Sequence, residues 1–289
     1  MATSSDLTES PSWRCGDRRF SLDRPLVMGI LNVTPDSFSD GGLFVESSDA
    51  LAHAREMLAA GADIIDVGGE STRPGAEQVP FEEEVRRTFP VVEELAREAV
   101  PVSIDTRDAG VAATALSAGA CVINDVSGMC GFPMVATAVS STAGVIVMHM
   151  QGEPATMQVE PHYDDVVVDV SEFLLERAQY LESAGVARDR IAIDPGIGFG
   201  KTTEHNLELL RRLPEIVALG YPVVVGASRK RFIGEIAGVE EPRRRLAGSI
   251  AAALAAVAGG ASIVRVHDVA ETVQALSLWK AIGSSGALG

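Results

Sequence analysis

The stretch Gly61-Ala62-Asp63-Ile64-Ile65-Asp66-Val67 has a form that two later segments repeat. The first repeat is Gly119-Ala120-Cys121-Val122-Ile123-Asn124-Asp125-Val126, and the second is Gly260-Ala261-Ser262-Ile263-Val264-Arg265-Val266-His267-Asp268. Each has a glycine, then a short β-branched run, then polar residues. Glycine just past a helix supplies the left-handed cap that ends it, and a short continuous apolar run is typical of a parallel strand buried on both faces. The repeat therefore predicts helices that alternate with buried parallel strands.

Five further segments resemble these strands, and the stretches between strands carry helical periodicity. The further strands are predicted at Leu26–Asn32, Val102–Thr106, Val145–Met150, Ile191–Asp194 and Pro222–Ser228. Apolar residues recur at helical spacing at Leu51, Ala54 and Leu58, at Val85, Val92 and Leu95, at Phe173, Leu174 and Leu181, and at Leu207, Leu210 and Leu213. Eight strands alternating with eight helices predict an α/β fold, a single (β/α)8 TIM barrel. A doubly wound sheet is the main alternative that periodicity leaves open.

The N-terminal residues stand outside this repeat. Within them, Trp13-Arg14-Cys15-Gly16-Asp17-Arg18-Arg19-Phe20 is predicted to form a small hairpin that caps the barrel floor. We therefore divide the chain into an N-terminal extension (residues 1–25), a barrel (residues 26–285) and a flexible tail (residues 286–289).

The composition restricts partners and compartment. A net charge of −16 over 289 residues argues against nucleic acid or an anionic membrane surface as a partner, because both are polyanions. Residues 1–10 lack the basic and apolar regions of a secretory signal, and the most apolar run, residues 249–264, is too short for a transmembrane helix. The three cysteines lack zinc spacing: we expect Cys15 to be exposed, and Cys121 and Cys130, on or near a strand, to be core filler or incidental thiols. These features predict a soluble, cytoplasmic protein.

In nearly every predicted unit, a polar residue stands where the strand ends. Barrels of this kind bind ligands at that edge, where strands pass into the following loops. For any single residue, capping or loop-tying is the ordinary explanation. Polar groups on buried strands cost free energy unless they are paired, so their convergence on one mouth indicates an active site. In strand order these residues are Asn32, Asp66 and Glu70, Asp105, Asn124 and Asp125, His149, Asp194, Ser228-Arg229-Lys230, and Arg265 and His267.

The acceptors in this set suit a flat heterocycle. Asp105, Asn124 and Asp194 offer carboxylates and an amide, and a carboxylate can accept two parallel N–H bonds. The sequence shows no Ser-His-Asp order, no His-x-x-x-His pair and no cysteine in a basic setting, so neither covalent nor zinc chemistry is indicated.

The cations suit an anion. Lys230, Arg265 and His267 can bind a negatively charged group, and Asn32 suits the same group or a hard metal ion. Arg265 and His267 are two apart on one predicted strand, so their side chains point to the same face. The alternative is that Arg265 only pairs with an acidic neighbour such as Asp66 or Asp105.

Two loops rich in glycine and turn formers follow the first two predicted strands, over residues 32–42 and 68–75. Phe38 and Arg73 are unusual on such loops unless they close over a ligand. Ordinary surface loops are the alternative.

The segment 191–202, IAIDPGIGFGKT, ends like a nucleotide-binding P-loop. The P-loop pattern requires a glycine at the position that Pro195 occupies. Proline has a fixed φ and no N–H for a phosphate, and Gly196 comes one residue too late. The pattern therefore argues against an NTPase.

The motifs NVTPDSFSDGG, DVGGESTRPGA, SIDT, IND, DPGIGFGK, GASRKRFIG and RVHD, taken together, resemble those of the bacterial dihydropteroate synthase family. The resemblance runs from about Leu26 to Ile282. It implies a pterin-binding TIM barrel that acts in folate biosynthesis and is inhibited by sulfonamides. In the implied reaction, the amine of p-aminobenzoate attacks the methylene of 6-hydroxymethyl-7,8-dihydropterin diphosphate and expels pyrophosphate.

The resemblance also implies roles for individual residues. The pterin is expected on Asp105, Asn124, Asp194 and Lys230, with Arg265 also in contact with the substrate. The diphosphate is expected on Asn32, Arg265 and His267 with Mg²⁺, for which Asn32 is the ligand. Asp36, Phe38, Thr72 and Arg73 belong to the loops that order around the substrates, and Phe199, Lys230 and Arg231 lie beside p-aminobenzoate. The residues expected to act in catalysis are Asn32, Asp36, Arg73, Lys230, Arg265 and His267.

The same resemblance gives the glycine-rich segment a role. Asp194 faces the pterin, the glycines let the loop approach it, and Lys201-Thr202 starts the next helix. Family members are commonly homodimers through their late helices, so a homodimer is expected. Two alternatives stay open at this point, a folate-dependent methyltransferase domain and a non-catalytic pterin-binding paralogue.

Overall fold

The computed structural model describes residues 11–33, 43–70, 79–152 and 156–284. In these residues, helices alternate with the strands of an eight-stranded parallel sheet, and a two-stranded antiparallel hairpin precedes it. In chain order the elements are β1 (Ser12–Cys15), β2 (Arg18–Ser21), β3 (Leu26–Asn32), α1 (Leu43–Ala59), β4 (Ile64–Gly68), α2 (Phe81–Arg97), β5 (Val102–Asp105), α3 (Ala109–Ser117), β6 (Val122–Asp125), α4 (Phe132–Ser140), β7 (Gly144–Met148), α5 (Val166–Ala184), β8 (Ile191–Asp194), α6 (Thr203–Arg211), α7 (Leu213–Val217), β9 (Val224–Val225), α8 (Arg231–Ala237), α9 (Leu246–Ala258), β10 (Ile263–Val266) and α10 (Val269–Ser284).

The sheet closes on itself. Its order is β8-β7-β6-β5-β4-β3-β10-β9, and a parallel bridge between Ile193 and Val223 joins the two outer strands. Closure confirms the TIM barrel and excludes the doubly wound sheet, in which the two outer strands stay apart. The division of the chain at residues 25 and 285 stays a prediction.

Most predicted strands lie where the sequence placed them. β3 and β8 have the predicted bounds. The glycines before β4, β6 and β10 have the expected positive φ, at 101° for Gly61, 107° for Gly119 and 98° for Gly260. The strand predicted at Pro222–Ser228 was too long, because β9 covers only Val224–Val225. The chain leaves the ladder there and turns at Arg229, whose φ is 59°.

The hairpin β1–β2 closes the floor of the barrel, as predicted. Trp13 and Cys15 lie on the same face of β1, and both are fully buried. The Trp13 indole Nε1 donates to the carbonyl of Arg190 at 2.8 Å. The expectation that Cys15 is exposed was wrong, because strand alternation puts it beside Trp13 under the barrel. Cys121 is a core residue, whereas Cys130 is exposed on the loop after β6.

The barrel interior changes from apolar to polar along its axis. At the floor, residues from almost every strand form one buried apolar cluster around the hairpin, namely Trp13, Cys15, Leu26, Met28, Ile64, Cys121, Val122, Ile146, Ala192, Val224 and Ile263. Two positions further along a strand, the side chain points to the same face. Those positions hold Asp66 after Ile64, Asn124 after Val122, Asp194 after Ala192 and Arg265 after Ile263. The fold thus collects the polar strand ends into one mouth above a dry floor.

Candidate active site

Arg265 lies at the centre of the polar residues that line the mouth of the barrel. Its Nε lies 2.6 Å from Oδ2 of Asp66, and its Nη2 lies 2.5 Å from Oδ2 of Asp105. Asp66 is completely buried, and its Oδ2 also accepts from the Asn124 amide at 3.1 Å. Arg265 thus pairs with both of the acidic residues named as possible neighbours, Asp66 and Asp105. A guanidinium presents five N–H donors, so these two bonds leave others for a ligand.

Asp105 and Asn124 face one another across adjacent strands. They are direct partners in the β5–β6 register, and both are buried. Among the described residues, Oδ1 of Asp105 accepts no hydrogen bond, so this carboxyl keeps an acceptor for an incoming N–H. Burial raises the pKa of Asp105 to about 7, although the charge of Arg265 opposes the shift.

Asp194 ends β8 at the same mouth. Its Oδ1 accepts from the backbone N–H of Gly196 at 2.7 Å. Burial raises the pKa of Asp194, while the charge of Lys230 and the Gly196 N–H act in the opposite direction. The hydrogen bond from Gly196 fixes the carboxylate at one of its two oxygens.

Lys230 and Phe199 meet over the glycine-rich loop. The Lys230 ammonium donates to the carbonyl of Ile197 and lies 4.2 Å from the centroid of the Phe199 ring, a cation–π contact. A Cβ on Gly198 would come within 2.8 Å of Lys230 Cδ, so only glycine lets the lysine lie this close. Burial lowers the pKa of Lys230 to about 7, against the opposing charge of Asp194.

A second polar contact joins the residues that follow β9 and β10. Ser228, after β9, accepts from the backbone N–H of His267 at 3.2 Å, and its Oγ lies 3.1 Å from His267 Nδ1. β10 ends at Val266, so His267 lies just past the strand that carries Arg265. The structure ties Arg265 to β4 and β5, and His267 to the loop after β9.

Not every predicted site residue is in this cluster. The Arg231 side chain is 76% exposed and pairs with Glu235 at 2.5 Å on α8, so the structure does not bring it to the mouth. Asn32 ends β3 beside Gly68, at the correct edge of the barrel. Asp125 was grouped with the mouth residues, but its carboxylate holds the loop after β6 by accepting from Ser127 and Met129. Asp36, Phe38, Thr72 and Arg73 lie outside the described residues.

The segment that resembles a P-loop has a different structure. Thr202 is the N-cap of α6, as expected. Lys201 does not simply start the helix, because it is buried and its Nζ lies 2.9 Å from His149 Nδ1 and 3.0 Å from the carbonyl of Phe199. A Cβ on Gly196 would lie 1.8 Å from the carbonyl oxygen of His149. The lysine therefore holds its own loop against the end of β7 and does not project toward a phosphate.

The buried polar residues that the sequence analysis did not single out include Glu84 and Ser103. Glu84, on α2, packs against Gly69 at the start of the loop after β4, since a Cβ on Gly69 would meet Glu84 Cγ at 2.9 Å. Ser103 pairs with Asp66 in the β4–β5 register. Among the described residues, Oε1 of Glu84, Oγ of Ser103 and Oδ1 of Asp66 have no hydrogen-bond partner. The only signal for Glu84 was its place in a run of three acidic residues, which does not tell which one is buried.

The arrangement places three carboxyl groups, an amide and two cations within one mouth. It can hold a planar ring through paired N–H bonds to a carboxylate, and it can hold an anion next to that ring. In residues 11–33, 43–70, 79–152 and 156–284, no three His, Cys, Asp or Glu side chains form a group that could hold a metal ion. No helix in the same ranges is long and apolar enough to cross a membrane.

Comparison with known proteins agrees with this geometry. The model of the pterin binding enzyme family matches residues 28–267. The dihydropteroate synthase of Neisseria meningitidis serogroup C is 50% identical over 275 residues, which cover 94% of this chain and 97% of the relative. The chain therefore belongs to the pterin binding enzyme family.

Within that family, two solved structures of dihydropteroate synthases are similar to this chain. The dihydropteroate synthase of Xanthomonas albilineans with 4-aminobenzoic acid superposes with a TM-score of 0.90 at 50% identity, over 95% of this chain and 99% of the other. That of Burkholderia cenocepacia, complexed with 7,8-dihydropteroate, has a TM-score of 0.88 at 48% identity, over 96% and 98%. The family resemblance that the motifs indicated is thus confirmed.

Glu84 gives a pH-dependent prediction. Burial raises its pKa from 4.5 to about 7, although a hydrogen bond with Thr106 opposes the shift. A carboxyl with a raised pKa in the folded state contributes stability that is fully present below the unfolded pKa and is lost as the pH rises through the folded pKa. Between pH 4.5 and 7.5, the free energy of unfolding of the wild type should therefore fall relative to that of Glu84→Gln by about 3 kcal/mol.

Urea unfolding of both proteins at several pH values measures this difference. Glu82→Gln is the matched control, since Glu82 is an exposed carboxyl of the same helical turn, and its curve should run parallel to that of the wild type. If the Glu84→Gln curve is also parallel, the burial argument for Glu84 is wrong.

Proposed function

We propose that this protein is a dihydropteroate synthase, which condenses 6-hydroxymethyl-7,8-dihydropterin diphosphate with p-aminobenzoate to give 7,8-dihydropteroate and pyrophosphate. The observation that carries the proposal is the meeting of Asp105, Asn124 and Asp194 with Lys230 and Arg265 in one barrel mouth. The relatives named above support the reaction, because they are dihydropteroate synthases at about half identity over nearly the whole chain. Sulfonamides, which resemble p-aminobenzoate, are the expected inhibitors.

The pterin is assigned to the acceptor side of the mouth. Its amino-pyrimidine edge presents adjacent N–H donors, and the Asp194 carboxylate, fixed by the Gly196 N–H, can accept two of them. The unpaired Oδ1 of Asp105 and the Asn124 amide, which Asp66 orients, supply the neighbouring contacts. Holding the ring in this way orients the methylene for attack.

The cations serve the leaving group. An aryl amine is largely unprotonated near neutral pH, so the attacking nitrogen needs no strong general base. The difficult step is breaking the carbon–oxygen bond, during which negative charge grows on the departing pyrophosphate. Arg265 and His267 are assigned to that charge, and their contribution grows as the bond breaks. Phe199 and Lys230 form the adjoining wall, against which p-aminobenzoate is assigned.

Mg²⁺ is proposed as a cofactor that binds together with the diphosphate. Mg²⁺ at such sites is usually bound by one or two protein ligands together with substrate phosphate oxygens and water. The Asn32 amide oxygen, at the end of β3, is the ligand that we assign. When bound, the ion would neutralise part of the charge on the leaving group.

Product formation by the purified protein tests the function. With both substrates and Mg²⁺, we expect 7,8-dihydropteroate and pyrophosphate in equal amounts, and loss of product when a chelator is added. A non-catalytic pterin-binding paralogue would bind the pterin diphosphate and form no product. A folate-dependent methyltransferase domain would bind folates and give no pyrophosphate. Either outcome would overturn the proposal.

A homodimer and a cytoplasmic location are also proposed. On α10, Leu278, Trp279 and Ile282 are exposed large apolar side chains, and such side chains on one late helix suit a contact with a second copy. The mass in solution, measured by sedimentation equilibrium, decides the oligomeric state.

The cysteines bear on the proposed cytoplasmic location. The three cysteines are free thiols, which suits a reducing compartment.

Asp194→Asn should nearly abolish pterin binding in a protein that stays folded. An amide accepts only at its oxygen and presents donors to the donors of the pterin, so a buried charge-assisted pair is lost at about 2–4 kcal/mol. Titration calorimetry with a free pterin measures the change. Asp189→Asn, which alters an ion-paired aspartate at the hairpin, is the control and should bind as the wild type does. Unchanged affinity in Asp194→Asn would remove Asp194 from the pterin site.

Arg265→Gln should lower kcat/KM by roughly 10²–10³, the effect of one lost charge-stabilising donor. It should also destabilise the fold by about 3–5 kcal/mol, because the buried carboxylate of Asp66 loses its partner. Titrations of the folded variant with pyrophosphate and with free pterin separate the two roles. We expect pyrophosphate binding to weaken far more than pterin binding. Equal weakening of both would mean that Arg265 acts mainly by shaping the pterin side through Asp105.

A further inference from the structure

The backbone of Arg229 is strained. Its φ of 59° lies in the left-handed region, where a residue with a Cβ is uncommon. Arg229 stands between Ser228, which contacts His267, and Lys230, which faces the mouth. Backbone conformations of this kind are unfavourable and persist only where surrounding contacts enforce them. The contacts that enforce this one are therefore informative.

Three neighbours hold Arg229 in this conformation. Its backbone N–H donates to Ser249 Oγ at 2.9 Å, and its carbonyl accepts from Arg245 Nη1 at 3.0 Å. Its guanidinium forms two bonds with the carboxylate of Asp268, one of them from Nε to Oδ2 at 3.0 Å. Ser249 lies on α9, and Asp268 directly precedes α10. The turn is thus held by one side chain on α9 and by the side chains of the residues that directly precede α9 and α10.

The ion pair joins two loops that carry different parts of the proposed site. Arg229 directly precedes Lys230, which the resemblance places at the pterin as well as beside p-aminobenzoate, and Asp268 directly follows His267, which is assigned to the diphosphate. The two side chains are only 26% and 15% exposed. Exposed ion pairs contribute little, but a two-bonded and largely buried pair has a defined geometry.

We propose that Arg229 and Asp268 are a positioning pair, which sets the distance between the pterin-binding and diphosphate-binding parts of the mouth. Neither side chain touches substrate in this account. The inference rests on the proposed function, because it assumes that one substrate spans both parts. A substrate with two linked groups binds well only if both of its sites are held at the correct separation.

The expected result follows from that separation. In Arg229→Gln, free pterin and pyrophosphate should each bind within about threefold of the wild type, since each part of the mouth keeps its own residues. The linked pterin diphosphate should bind roughly 10- to 100-fold more weakly, because the two parts are no longer held in register. Asp268→Asn should give the same pattern, and the double variant should be no worse than either single variant.

Three calorimetric titrations of each protein, without p-aminobenzoate, make the test. Arg14→Gln is the matched control, because Arg14 forms a two-bonded pair with Asp189, of 33% and 36% exposure, at the opposite end of the barrel. It should leave all three affinities unchanged. Arg229→Gly, which tolerates the positive φ, serves if the glutamine variant does not fold.

The outcomes separate this inference from the proposed function. If the wild type binds neither pterin nor the pterin diphosphate, the proposed function fails. If the wild type binds them and Arg229→Gln binds the pterin diphosphate equally well, the positioning pair is wrong. Equal weakening of all three ligands would also overturn it, since that pattern indicates a general structural defect.

Discussion

The mouth of this barrel depends on the ion pair between Arg265 and Asp66. The floor beneath it is filled by apolar side chains and the hairpin, so a charge at the next level needs a protein partner. Asp66 is completely buried and serves two donors with one oxygen, Arg265 at 2.6 Å and Asn124 at 3.1 Å. Breaking a buried pair of this kind costs about 3–5 kcal/mol. The pair therefore fixes both the guanidinium and the amide before any ligand arrives, and Asp105 receives the remaining bond from Arg265.

The charged residues around the Arg265–Asp66 pair are buried or half-buried and held in fixed positions. Burial raises the pKa of Asp105 and lowers that of Lys230, while bonds to Arg265 and to the Ile197 carbonyl hold the two side chains in place. Preorganised groups of this kind do not need to rearrange when charge develops on a substrate. Side chains behind the mouth complete the arrangement: Lys201 fixes the glycine-rich loop, and Arg229 fixes the turn before Lys230.

The sequence predicted the barrel and the cluster of Asp105, Asn124, Asp194, Lys230 and Arg265 because both follow from strand geometry. In a parallel barrel, the carboxyl ends of all strands converge on one mouth. Polar residues at strand ends can therefore be assigned to that mouth without knowledge of which strands are neighbours. The sequence named Asp66 and Asp105 as possible partners of Arg265, but it could not predict that Arg265 pairs with both at once, since Asp66 and Arg265 are 199 residues apart. Nor could it predict that Arg231 pairs outward with Glu235, that Lys201 is buried against His149, or that Cys15 lies under the barrel. These outcomes depend on tertiary packing, which local pattern does not encode.

A crystal structure of the protein with a pterin and pyrophosphate bound is the decisive measurement. The pterin N–H edge should lie within hydrogen-bond distance of Asp194, beside Asp105 and Asn124. Pyrophosphate should lie within reach of Arg265 and His267, and Arg265 should keep its bond to Asp66. A pterin bound outside the mouth would contradict the account, as would an Arg265 side chain that leaves Asp66 to follow the anion.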